Sequence, residues 1–336
     1  MRALFALLAV VLVAGCTLPG PAPTPTSASP PTPAVTPTPG PTYAPRFDGA
    51  KAHGWVERQV RDDAGQVRYR IPGTEGNAEV ARLVDAELSG LGFAVHWHFF
   101  NATFGCEQVP MHNVVAERAG TSGRVLVLAA HYDTRPIADK DPDPALRAHP
   151  VIGANDGASG VAVLLELARV LPPTNDTVRL VFFDGEDGGG YKNAGRTVCT
   201  DWILGSRAYA ASLTQAEVDA MDALVLVDMI GDADLSIPRE GYTVADADAR
   251  AVQDQVYAAA KRLGHAQFLD RTSYQIEDDH VPFLERGVPA VDLIHLLPAP
   301  GVFPAWHHTV ADDLDQVSAG SLDAVGETLE AWLAAR

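Results

Sequence analysis

The sequence predicts an α/β fold, with helices layered on a largely parallel sheet. Two observations carry this expectation. Apolar runs alternate with helical patterns along the chain. Those runs are rich in Val and Leu and lack the polar alternation of a half-exposed strand, as strands covered on both faces require. Taken in order, "AEVARLVDAELSGLG" (78–92) reads as a helix stopped by Gly90 and Gly92, and it leads into the alternating strand "FAVHWHFF" (93–100). "RVLVLAA" (124–130) is a buried strand. "NDGASG" then offers Asn155, Asp156 and Ser159 as caps for a helix whose apolar residues recur at 161, 164, 165 and 168. "VRLVFF" (178–183), "ALVLVDM" (223–229) and "PAVDLIH" (289–295) are further strands, and 249–264 and 320–335 are amphipathic helices. No internal repeat interrupts this pattern, so a single catalytic domain over residues 46–336 is the simplest organisation.

Two segments precede that domain. "MRALFALLAVVLVAGC" (1–16) has one basic residue and an apolar stretch too short for a convincing span, the pattern of an export signal. Its ending, "LVAGC", resembles a bacterial lipobox, in which Cys16 becomes the lipid-bearing first residue; an ordinary cleaved signal with an incidental cysteine is the alternative. Residues 17–45 are almost all Pro, Thr, Ala, Ser and Gly, a solvated spacer with nothing to bury. The domain is therefore expected outside the inner membrane, tethered to the cell envelope through lipid alone. Disulfides form there, and Cys106 and Cys199 are expected to pair; two separately buried thiols are the alternative. With 25 basic and 43 acidic residues the net charge is -18, and no Lys/Arg cluster could follow a phosphate backbone, which argues against nucleic acid as a partner.

The stretch "VRLVFFDGEDGGGY" (178–191) drives an apolar strand into Asp184, Glu186 and Asp187. Neighbouring carboxylates are costly unless a cation or a proton sits with them. Open parallel sheets collect functional residues at the carboxyl ends of their strands. His131 and Asp133, Glu186 and Asp187, and Asp228 all fall at such ends, Asp156 opens a helix, and His308 lies in "AWHHTVADDLD". Each alone has a dull explanation as a cap or a solvated loop residue. Together they suit a catalytic zinc with three protein ligands and one open position. Asp156, Asp187 and His308 could be those ligands, leaving Glu186 beside the metal to carry protons.

In order along the chain, "LAAHYDTRP", "GANDGASGVAVLLELARVL", "VFFDGEDGGG", "LGSRAYAASL", "VLVDMIGD", "DDHVPFLERGVPAVDLI" and "HHTVADDLD" resemble the superfamily of zinc aminopeptidases and glutaminyl-peptide cyclotransferases, from about residue 75 to the C-terminus. The resemblance implies a three-layer α/β/α sandwich around a mixed, largely parallel sheet, with peptide or protein N-termini as substrates. "FFDGED", "DDHVPFLERGVP" and "FPAWHHT" look more like the cyclotransferase branch, which converts N-terminal Gln to pyroglutamate and releases ammonia. By matching position, it makes Asp156, Asp187 and His308 the ligands of one Zn2+, Glu186 the proton shuttle, and Asp228 and Asp278 hydrogen-bonding acids around the substrate.

The aminopeptidase alternative adds a second zinc on His131, Asp156 and Asp228 and hydrolyses the first peptide bond. A catalytically silent surface binding module is the third alternative. Three departures from the cyclotransferase pattern concern the site. Asp187 stands where that branch carries Glu, and Glu277 replaces a Gln. His307 takes the place of a pocket tryptophan, with Trp306 one residue earlier; Phe303 completes the expected pocket wall. "DKDPDPALRAHP" (139–150) is expected to be a Pro-stiffened loop near the pocket, since it lacks the glycine and terminal glutamate of an EF-hand. His280 is expected to orient a neighbouring acid.

Overall fold

The Val- and Leu-rich runs become the middle of a six-stranded sheet, in the order Ala94–Phe104, Glu107–Arg118, Thr177–Phe183, Val125–His131, Met221–Asp228, Ala290–Ile294. The last four are mutually parallel, and Glu107–Arg118 runs against both of its neighbours, so the sheet is mixed. This computed structural model describes residues 43–336 except 191, 194, 195, 198, 299 and 300. The export signal, Cys16 and the spacer up to residue 42 lie outside the described residues. The Tyr43 hydroxyl donates to buried Glu330 at 2.7 Å, and the amides of Arg46 and Phe47 donate to the same carboxylate at 2.8 and 2.9 Å.

Alternate residues of each strand feed two separate cores, which is the period-two geometry of a pleated strand. Leu126, Leu128, Ala130, Leu180 and Val225 pack on one side with the helices Gly49–Val60, Glu75–Gly90, Ala158–Val170, Ala247–Leu263 and Ala319–Leu333. Val127, Ala129, Val181 and Leu224 pack on the other with Tyr209, Val218 and Phe283 from the shorter helices Leu204–Ser212, Gln215–Ala220 and Val281–Leu284. The result is the three-layer α/β/α arrangement. Among the described residues, no helix is long and apolar enough to cross a membrane.

The helix Glu75–Gly90 ends as its glycines indicate: Gly92 has φ 84°, and the amides of Gly92 and Phe93 turn back to Ser89 and Leu88. The helix Ala158–Val170 departs from expectation. Its N-cap is Gly157 at φ 91°, with no side-chain cap. Ser159 Oγ donates to the Asn155 carbonyl at 2.6 Å, while the amides of Asn155 and Asp156 go to the Asp312 carboxylate at 2.8 and 3.1 Å. The Asp156 carboxylate is thereby released from capping.

The strand Glu107–Arg118 was not legible in the sequence, because its first half lies over the open sheet edge with Glu107, Gln108 and Pro110 exposed and no apolar alternation. Its hairpin turn contains Cys106 at φ 70°, joined by a disulfide to Cys199 across 93 residues. Such a bond fits an exported chain. Replacing Cys199 with Ser is expected to lower the unfolding free energy by about 2–5 kcal/mol, because the denatured chain regains the entropy of that loop. A denaturant titration of both proteins without reductant checks it; coincident midpoints would refute it.

Candidate metal centre and active site

The carboxyl edge of the sheet gathers the predicted residues, and the turn after Phe183 shows how. Gly185 takes φ 74°, and the buried Asp133 carboxylate accepts the amides of Glu186 at 3.0 Å and of Asp187 at 3.2 Å. Two neighbouring acids are thus fixed by their backbones, which leaves their side chains free to diverge. Asp184 points away from the site, accepting from Asn77 Nδ2 at 2.8 Å and the His112 amide at 3.3 Å. Burial, then the charge of Asp133, pushes its carboxyl up to about 8.

Asp187 turns toward His308 and Arg135, with its Oδ1 3.1 Å from His308 Nε2 and 3.0 Å from Arg135 Nη1. Burial would raise its pKa, but His308 and Arg135 outweigh that and hold it well below the usual carboxylate range. Glu186 enters the cavity instead, where burial drives its pKa well above the usual value against the opposing charge of His131. A carboxyl that readily takes up a proton beside one that stays ionised is the division of roles expected of a shuttle and a ligand.

His308 adopts φ 58°, a left-handed conformation that a non-glycine residue holds only when its surroundings impose it. Its Nε2 faces Asp187 and, at 3.8 Å, Asp156 Oδ2. Its Nδ1 has no hydrogen-bond partner, with Asp139 behind it at 4.0 Å. His131 Nε2 sits 3.2 Å from Asp156 Oδ1 and 3.2 Å from Asp228 Oδ1. Among the described residues, two buried sets have three donor atoms within 4.8 Å of one another: Asp156, His307 and His308, and His131, Asp156 and Asp228. They share Asp156. Asp187 belongs to neither set, although its Oδ1 meets the same His308 Nε2 that faces Asp156; that oxygen is also held by Arg135 Nη1 at 3.0 Å. Buried imidazoles among carboxylates form a donor set that suits zinc.

These groups line a cavity of ≈ 250 Å³ together with Lys140, Trp202, Met229, Gln275, Ile276, Glu277, Asp278, Ile294 and Phe303. At about 30 Å³ per water this is on the order of eight waters, room for one residue of a peptide. Burial, then the neighbouring Asp228, raises the Asp278 carboxyl to about 7. Phe303 stacks on His307 with centroids 4.1 Å apart.

Trp306 corrects the expected pocket wall. It is absent from the lining, buried beside Met229, Ile294 and Leu296, and its Nε1 donates to Asp232 Oδ2 at 2.6 Å. The aromatic wall comes from Trp202, stacked over His308 at 6.0 Å. Trp202 lies so close to Gly189 and Gly190 that a Cβ at either would be 2.5 or 2.8 Å from the indole, while one at Gly188 would be 2.4 Å from Phe104, which accounts for the glycines after the two acids. Glu277 reaches the rim but is paired with Arg207 at 2.6 Å. His280 Nε2 faces Glu240 at 3.2 Å.

Sequence reasoning missed several supports. Arg70 is buried and donates to the carbonyls of Tyr132, Ile152 and Gly153 at 2.8, 2.9 and 2.7 Å, so it and Asp312 clamp the turn that presents Asp156. No local signal marks Arg70. Trp202 could have been found from the run of side-chain-free positions that must face something large.

The profile of the family described as Peptidase family M28 matches residues 113–333. The chain belongs to peptidase family M28. Within M28 it is glutaminyl cyclase-like. It is 28% identical over 313 residues to the glutaminyl-peptide cyclotransferase of Boiga irregularis, covering 83% of this chain and 80% of that one. Its fold matches the Bacteroides thetaiotaomicron glutaminyl cyclase bound to N-acetylhistamine with TM-score 0.79 and 29% identity, over 88% of this chain and 100% of the other. An M28 chain of this shape is also similar to a Zn-dependent exopeptidase from Parabacteroides distasonis, with TM-score 0.79 and 28% identity, over 87% and 99% of the two chains.

Proposed function

We propose that this M28 protein is a glutaminyl-peptide cyclotransferase that uses one zinc ion and acts on peptide or protein N-termini outside the cytoplasmic membrane, to which Cys16 tethers it. The carrying observation is that the Glu186 carboxylate faces a one-residue cavity beside the buried donor groups without belonging to either compact donor set. Two of the three named relatives, from Boiga irregularis and Bacteroides thetaiotaomicron, are cyclases, which supports cyclisation.

Asp156, Asp187 and His308 would hold Zn2+, which would supply a Lewis acid for the γ-carbonyl of the substrate glutamine. Asp187 is preferred to His307 as the third ligand for a reason internal to the chain. Lys140 Nζ lies 3.0 Å from His307 Nδ1, and burial, then His308 and Lys140, keeps the His307 pKa well below its usual value. Neutral His307 accepting at Nδ1 carries its proton on Nε2, the nitrogen that faces Asp156 at 3.9 Å.

The α-amine and the side-chain amide belong to one residue, so the substrate already brings most of the proximity advantage. Asp228 and Asp278 hold the amine at the cavity floor. Its nitrogen forms the ring C–N bond as the bond to the amide nitrogen breaks. Glu186 takes the proton lost by the amine and returns it to the departing ammonia. Trp202 and Phe303 exclude water, which suppresses hydrolysis of the same carbonyl.

The second reading, a two-zinc aminopeptidase, is favoured by the compact set His131, Asp156 and Asp228. Incubating the purified protein with a Gln-initiated peptide and weighing the product separates the two. Loss of one ammonia mass from an otherwise intact peptide is expected. Release of the free first residue, with two zinc ions per chain, would establish hydrolysis instead.

A further inference from the structure

We propose that Lys140 selects peptides carrying a carboxylate on their second residue, an inference that rests on the N-terminus-binding reading of the cavity above. Lys140 belongs to the 139–150 loop, to which the proposed reaction gives no role beyond the contact of Lys140 with His307. Its amide donates to the His308 carbonyl at 3.2 Å, which anchors the loop to the site. Its ammonium lies against His307 Nδ1 at 3.0 Å and over the Phe303 ring at 5.2 Å. Lys140 is exposed, whereas Asp228 and Asp278 at the floor are buried.

Among the described residues lining the cavity, Lys140 is the one lysine or arginine, and no carboxylate stands within ion-pair distance of it. The other charge at the rim, Glu277, is neutralised by Arg207. The cavity therefore has acids at its floor and a cation at its mouth. A peptide whose amine reaches the floor fills ≈ 250 Å³ with its first residue and brings its second residue to that mouth. In a chain of net charge -18, an unpaired ammonium at this place is the local exception that an acidic second residue would meet.

The test compares Gln-Glu-Ala-amide with Gln-Gln-Ala-amide, equal in length and shape, with consumption followed by mass so that cyclisation and release of the first residue count alike. The acidic peptide is expected to be consumed with a kcat/KM about threefold to fivefold higher, through KM, as for a partly screened ion pair. Lys140→Met should bring the ratio to about one, Lys140→Arg should keep it, and Lys140→Glu should transfer the preference to Gln-Lys-Ala-amide.

A Lys140-dependent gain for the dipeptide Gln-Ala with a free carboxylate, absent from its amide, would also support the proposal and would assign the carboxylate to the chain terminus. Equal consumption of all these peptides by the wild-type protein overturns it, as does a preference that survives Lys140→Met. Equal slowing of both amides in Lys140→Met, with their ratio kept, also overturns it and leaves Lys140 only holding His307. Release of the free first residue defeats cyclisation while leaving the ratio readable.

Discussion

Replacing Glu186 with Gln is expected to lower turnover of a Gln-initiated peptide by about a hundredfold to ten-thousandfold, the range for removing a positioned proton carrier. The substitution keeps the side chain's size and removes only its capacity to take a proton. The backbone at this position is fixed by Asp133 at 3.0 Å, a contact that does not involve the Glu186 side chain. Glu186 is also absent from both compact donor sets, so zinc content should remain at the wild-type value. The effect should appear in kcat, with KM nearly unchanged, because the lost interaction is made only as protons move. Rate measurements with metal analysis of the same preparation check all three statements. Full turnover in the variant would remove Glu186 from the chemistry, and loss of zinc would instead make it a ligand.

The ease of finding Glu186 and the difficulty of finding its supports have one physical origin. Strand ends are legible because uninterrupted Val and Leu runs stop where polar residues begin; 178–183 and 223–229 lie within two residues of the observed strands. Acids at those stops stand out because nothing in a buried strand calls for them. The supports act through space instead. Asp312 reaches back 156 residues to the Asp156 amide, and Arg70 reaches 83 residues to the Gly153 carbonyl, distances over which no periodicity or spacing carries information.

The same limit explains Trp306. Its position beside His307 in the chain suggested a shared wall, yet Asp232 draws the indole away into the cluster of Met229, Ile294 and Leu296. The cap residues of the helix Ala158–Val170 were misread for a related reason. Local propensity favours Asn155 and Asp156 as caps, but Asp312 already takes their amides, and this tertiary contact decides where the Asp156 carboxylate points.

Replacing Asp156 with Ala is expected to abolish zinc binding and, with it, all measurable catalysis. Asp156 is common to both donor sets: Oδ2 lies 3.8 Å from His308 Nε2 and Oδ1 lies 3.2 Å from His131 Nε2. Among the described residues, no other donor is common to both sets. The fold should survive, because the turn is held by the Asp156 amide on Asp312 and by Arg70 on the carbonyls of Ile152 and Gly153, none of which needs the side chain. The decisive readout is thermal unfolding with and without added zinc. Zinc at a thousandfold over its Kd should stabilise the wild-type protein by about 4 kcal/mol and leave Asp156→Ala unmoved. His131→Ala distinguishes the metal counts. It should still bind and be stabilised by one zinc if His131 only hydrogen-bonds Asp156 and Asp228, whereas in a two-zinc enzyme it should bind one fewer ion than the wild-type protein. A zinc-dependent rise in melting temperature that persists in Asp156→Ala would place the metal elsewhere and defeat both enzymatic readings together.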